Sequence, residues 1–198
     1  MKTIVIASGN PGKLRELQAM LGPLGIEALP QSEFNVSEAE EPHETFLENA
    51  LAKARHASRA TGLPALADDS GLCVGGLGGE PGVHSAHFGG RDGTREERDT
   101  RNNAKLIAAL EGRGDRAAFY YCVLVLVRSA ADPTPLVAEG RWKGRIGTHP
   151  RGTNGFGYDP YFVPEGEART AAELPSEEKN RSSHRARALA ALADLLRS

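Results

Sequence analysis

Residues 118 to 128, AFYYCVLVLVR, are the stretch that most limits what this chain can fold into. β-branched and aromatic residues fill it almost without interruption, which is the composition of a strand. Asp132-Pro133 then marks a turn, and Leu136 to Ile146 reads as the antiparallel partner. Upstream the pattern changes. Thr3 to Ala7 is a short buried strand, Ser8 to Lys13 a loop, and Leu14, Leu17, Leu21 and Leu24 recur at helical spacing before Gly25. Residues 30 to 44 are polar, acidic and irregular. Thr45 and Glu48 form a capping-box pattern for a helix through about Thr61, and a strand over Ala65 to Ala67 follows. Residues 71 to 93 hold so many glycines that they read mostly as loop. Thr94 and Glu97 open another helix, to about Glu111, and an amphipathic helix from about Ser183 to Leu196 closes the chain. Helices alternating with strands early and a hairpin later give an α/β protein with a mixed sheet. No linker divides the 198 residues, so a single domain is expected.

Composition serves mainly to exclude. The 24 Lys and Arg against 26 Asp and Glu leave a formal charge of -2, which rules out a broad polyanion-binding surface though not one small basic pocket. A nucleic-acid partner is therefore not expected. Nor is a membrane partner, since no apolar stretch reaches membrane-spanning length and the N-terminus is too short in its apolar part for a signal peptide. Cys73 and Cys122 match no metal or redox spacing, and Cys122 sits in an apolar run as a reduced thiol would. A cytoplasmic location follows.

Four stretches could carry chemistry, and each also has a plain structural reading. SGNPGK, Ser8 to Lys13, places glycines and a lysine between a strand and a helix. Backbone N–H groups at a helix start suit phosphate, but the same residues make an ordinary turn. Glu38, Glu40 and Glu41 precede one helix and Asp68-Asp69 follow the next strand. Converging carboxylates suit Mg2+, whereas separate ones are a solvated acidic loop and an acidic turn at a strand end. In TNGFGYDP, residues 153 to 160, glycines flank Phe156 and leave an aromatic face on which a nucleobase can stack for roughly 1–3 kcal/mol. Core burial is the alternative for Phe156 and Tyr158. Finally, Lys179, His184 and Arg185 lie near the start of the last helix, where the dipole does not favour cations. Either an anionic or hydrogen-bonding partner or a solvated basic face accounts for them.

The order SGNPGKLREL, TFLENALAKA, ADDSGL, GTNGFGYDP and SHRARAL, running from residue 3 to about residue 192, resembles the inosine triphosphatase family of non-standard purine nucleoside triphosphate pyrophosphatases. No motif position departs from the family pattern. The resemblance implies an elongated, two-lobed mixed β-sheet flanked by helices, with the active site in the cleft between lobes. It implies hydrolysis of ITP, dITP or XTP to the monophosphate and pyrophosphate, Mg2+ as cofactor, and a cytoplasmic homodimer. It matches Ser8, Gly9, Asn10, Pro11, Gly12 and Lys13 to a triphosphate-binding loop, and Lys53 to a helix lysine facing the phosphates. Asp69 matches the general base and a metal carboxylate, with Ser70 a neighbouring substrate contact. Glu41 matches the other metal carboxylate, with Glu40 the alternative. Phe156, Gly157, Tyr158, Asp159, Lys179, His184 and Arg185 match nucleotide-binding positions.

Charge neutralisation fits that chemistry, because attack at the α-phosphorus of a polyanion needs cations and the attacking water needs a base. On this reading Asp68 and Asp69 form a pair satisfied by metal. Accepting xanthine while rejecting guanine requires a donor facing C2, since oxygen and an amino group are similar in size. Arg185, or a backbone N–H near it, is expected to supply that donor.

Overall fold

A computed structural model describes residues 3–197. Six strands form one mixed sheet: β1 (Thr3–Ala7), β2 (Glu27–Pro30), β3 (Ala65–Val74), β4 (Ala117–Val127), β5 (Leu136–Ile146) and β6 (Phe162–Pro164). Their order is β2-β1-β3-β4-β5-β6. β1 runs parallel to both neighbours, with Ile4 opposite Ala28 and Ile6 opposite Leu66, while β5 and β6 are antiparallel. The helices are α1 (Pro11–Leu21), α2 (Phe46–Thr61), α3 (Arg95–Ala109), α4 (Ser176–Ser182) and α5 (His184–Arg197).

The chain divides into two compact units. The first comprises the chain up to Asp69, Cys122–Gly140 and the chain from Arg185 onward, and the second Ser70–Tyr121 with Arg141–His184. Ile4 and Ile6 of β1, Leu17 and Leu21 of α1, Leu124 and Leu126 of β4, and Leu189 and Leu192 of α5 build the core of the first. Leu72 and Val74 of β3, Leu106 and Leu110, Tyr120, Trp142 and Phe162 build the core of the second. The apolar run that announced β4 splits accordingly. From Ala118 to Tyr121 burial alternates, as on a strand with one covered face, and from Cys122 to Val127 every residue is buried.

Several local expectations are revised. The segment taken as a loop through Lys13 is already helical from Pro11, because Asn10 caps the helix and Pro11 at its first position lacks the N–H that would go unpaired. Leu24 lies beyond α1 on a 3-10 turn and is 43% exposed, so it is not part of the buried helical stripe. β2 and β6 are too short to show a periodicity. β3 does not stop at Ala67 but runs through Asp68-Asp69 to Val74, so the two acids are strand residues and not a turn. The expected last helix is α5, His184–Arg197, and the short α4, Ser176–Ser182, precedes it where no helix was expected. Among the described residues no helix is long and apolar enough to cross a membrane.

Candidate active site

In the first unit the β1–β3 pairing brings two key segments together. Ala7 pairs with Ala67, so Ser8 and Asp68 follow side by side. The strand order reverses here, since β1 has β2 on one flank and β3 on the other, and ligands of parallel α/β sheets bind outside strand ends at such a point. The Asn10 side chain accepts from the N–H groups of Gly12 (2.9 Å) and Lys13 (3.1 Å), and Ser8 Oγ accepts from Asn10 N–H at 3.2 Å. These bonds fix the start of α1, an anion-attracting helix terminus. Gly9 is exposed in this turn, and a Cβ there would land on the carboxylate of Glu38.

Asp68 and Asp69 point to opposite faces of β3, as neighbours on a strand must. Asp68 is fully buried between two cations. Lys13 Nζ lies 2.7 Å from its Oδ1 and Arg185 Nε 2.6 Å from its Oδ2, while Cys122 Sγ donates to Oδ2 at 3.2 Å. Burial opposes its charge, but Arg185 and Lys13 outweigh burial and hold the carboxyl well below the usual carboxylate range. Arg185 is buried too, and its Nη1 also donates to Glu16 of α1. Asp68 is thus held between two protein cations, and the Arg185 guanidinium is shared between Asp68 and Glu16. Glu16 escaped the sequence reading, although its position three residues after Lys13 on one helix face was a usable signal.

Asp69 faces different partners. Lys53 Nζ donates to Asp69 Oδ1 and to Glu41 Oε1, both at 2.8 Å, so the two carboxylates expected to converge do so across one buried lysine. Burial raises the Asp69 carboxyl above its ordinary range despite Lys53 and Lys13, which is the direction a general base working near neutrality needs. The same burial disfavours the Lys53 ammonium, but Asp69 and Glu41 overcome it and the net shift is upward. Ser70, the next residue of β3, is half-buried.

In the second unit Phe156 is half-buried with two cations over its ring, Arg95 at 4.6 Å and Lys179 at 4.8 Å from the centroid. Asp159 organises this loop: its Oδ2 accepts from Phe156 N–H at 2.9 Å and from Lys179 Nζ at 2.8 Å. Gly155 has φ 77 and lies so close to the Asp159 carboxylate that a side chain there would collide with it. Helix α3 braces the next residue, with Asp99 accepting from Gly157 N–H at 3.0 Å and Asn103 donating to Gly157 O at 2.9 Å. Tyr158 is buried, and its hydroxyl donates to Ser85 O at 2.8 Å. His184 is also buried, its ring stacked on Tyr120 at 4.8 Å. Tyr158, Asp159 and His184 thus build the loop and its support, and Lys179 lies over the Phe156 ring. Lys179 belongs to α4 and not to the last helix.

Magnesium keeps several waters and needs only one or two protein carboxylates beside substrate phosphates. Among the described residues no three His, Cys, Asp or Glu side chains gather as a metal cage. Asp69 Oδ2, however, is buried without a hydrogen-bond partner, and Glu41 lies within the span of two hydrogen bonds. An orphaned hard oxygen beside a second carboxylate fits Mg2+.

Parallel strands that end on a capped helix start and a lysine-held carboxylate place this chain among the α/β proteins that handle phosphate groups. More narrowly, it belongs to the Ham1 family, whose sequence profile matches residues 4–195. It is 59% identical over 198 residues to the dITP/XTP pyrophosphatase of Bordetella pertussis, covering 100% of this chain and 92% of the relative. The dITP/XTP pyrophosphatase of Burkholderia pseudomallei is 62% identical over 189 residues, which is 96% of this chain and 90% of that one. The solved structure of a HAM1 protein from Coxiella burnetii superposes with a TM-score of 0.90 at 48% identity, covering 99% of this chain and 98% of that one.

Proposed function

We propose that this protein hydrolyses non-standard purine nucleoside triphosphates, ITP, dITP and XTP, to the monophosphate and pyrophosphate, clearing them from the nucleotide pool. The observation that carries this reading is Asp69: buried, its carboxyl raised above the ordinary range by that burial, held by Lys53 through one oxygen, with the other buried and without a hydrogen-bond partner. Relatives at 59% and 62% identity that bear the name dITP/XTP pyrophosphatase support the substrate class.

The start of α1 and Lys13 take the phosphate tail, Lys13 turning from Asp68 toward the incoming anion. Asp69 accepts the proton of the attacking water. The water oxygen bonds to the α-phosphorus, the α–β bridging bond breaks, and pyrophosphate leaves with that electron pair. Lys53 keeps Asp69 and Glu41 oriented and offsets negative charge beside the reacting phosphates. Bound Mg2+, held by Glu41 and Asp69, would lower the pKa of a coordinated water and neutralise phosphate charge. Phe156 stacks on the base, and Lys179, which lies over the same ring, is a charged donor for it. Family resemblance supports a cytoplasmic homodimer, and a monomer in sedimentation would count against it.

The deciding experiment offers ITP, dITP, XTP, GTP, ATP and dUTP with Mg2+ and measures pyrophosphate. Release from the first three well above the others is expected. Orthophosphate as the product, or preference for ATP or dUTP, would overturn the reading.

A further inference from the structure

Arg95 and Lys179 both lie over the Phe156 ring, but they are held differently. Lys179 is buried and ion-paired at 2.8 Å to Asp159, the carboxylate that also fixes the Phe156 backbone, so moving Lys179 would unmake the loop. Arg95 has a side chain 32% exposed and pairs with Asp99 at 3.8 Å. Arg95 is also the first residue of α3, where the helix dipole opposes a positive charge. Its guanidinium lies 4.6 Å from the centroid of the Phe156 ring, an aromatic face that attracts a cation.

We propose that Arg95 covers the stacking face of Phe156 in the free protein and, when a purine binds, swings onto the outer face of the base and clamps it against the ring. A guanidinium is planar and delocalised, so it stacks on a purine as readily as on a phenyl group. The backbone of Arg95 need not move. Asp99 and Asn103, on the same helix, bind both sides of the Gly157 peptide unit and hold α3 at a fixed offset from the Phe156 loop. Only the side chain has to exchange partners. Arg95 thus becomes a residue that favours flat purine ligands, a role resting on the base-stacking reading of Phe156.

The test measures KM and kcat for ITP, and the affinity for inorganic tripolyphosphate by calorimetry, in wild type, Arg95→Ala, Arg95→Lys and Phe156→Ala. Arg95→Ala is expected to raise KM about two- to fivefold, leave kcat within about twofold and leave tripolyphosphate affinity unchanged. Arg95→Lys, which keeps the charge but not the plane, should recover part of the loss. An unchanged or lowered KM in Arg95→Ala, or parallel losses for ITP and tripolyphosphate, would overturn the clamp. Loss in Phe156→Ala alone overturns only the clamp, while no loss in Phe156→Ala overturns the base-stacking reading beneath it.

Discussion

Asp68 and Asp69 are chain neighbours with opposite electrostatic fates, because a strand turns successive side chains to opposite faces. Replacing Asp68 by Asn leaves Arg185 buried with one carboxylate fewer, a broken buried pair that costs about 3–5 kcal/mol. Urea denaturation should show that loss. Asp69→Asn keeps size and hydrogen bonding but cannot take a proton, so turnover should fall below about a tenth of wild type with the fold intact by circular dichroism. Glu41→Gln should raise the Mg2+ concentration giving half-maximal rate, and an unchanged curve would remove Glu41 from metal binding. These residues were legible as chemistry in the sequence. Their division of labour was not, because it depends on Arg185, which lies 117 positions from Asp68 in the chain.

At the scale of elements, local chemistry fixes the ends of helices and turns. Both halves of the Thr94–Glu97 capping box form, Glu97 Oε2 accepting from Thr94 N–H at 2.7 Å and Thr94 Oγ1 from Glu97 N–H at 3.3 Å. At Thr45 the cap forms but the box does not close, since the Glu48 carboxylate accepts from the Thr45 hydroxyl at 2.6 Å instead of from its backbone. Between β4 and β5, Asp132 accepts from Arg128 N–H and Nε, both at 2.9 Å, and from Thr134 N–H at 2.9 Å. The Arg128 hydrogen bonds hold its carboxyl well below the ordinary range. A depressed carboxyl stabilises the fold above its unfolded pKa of about 3.9, and that contribution disappears as pH falls through the folded value. Asp132→Asn should therefore lower Tm at pH 7, with the gap to wild type narrowing below about pH 4. A constant gap across that range would show that the charge contributes nothing.

At the scale of the molecule, Lys13, Lys53 and Asp69 belong to the first unit and Phe156 and Lys179 to the second. A ligand that binds only the folded chain stabilises it by mass action. A non-hydrolysable ITP analogue at a hundred times its Kd should add about 2.7 kcal/mol to unfolding free energy, and inosine alone at the same concentration far less. Equal stabilisation by both would place the binding energy in the base and contradict the role given to Lys13 and the start of α1.

What the sequence by itself determined is whatever depends on near neighbours. Composition made β4 a strand, the Thr-x-x-Glu patterns placed α2 and α3, and five ordered motifs identified the family and its activity. Local physics sufficed there, since caps, turns and periodicity act over a few residues. Only the tertiary structure decided that β1 would lie between β2 and β3, that Lys53 would join Glu41 to Asp69, and that Arg185 would be buried against Asp68 and Glu16. It also set Arg95 over Phe156 from 61 positions away. Each of these is a pairing of charges or faces far apart in the chain. A buried charge takes the partner the packed sheet brings to it, and no window of neighbouring residues contains that partner.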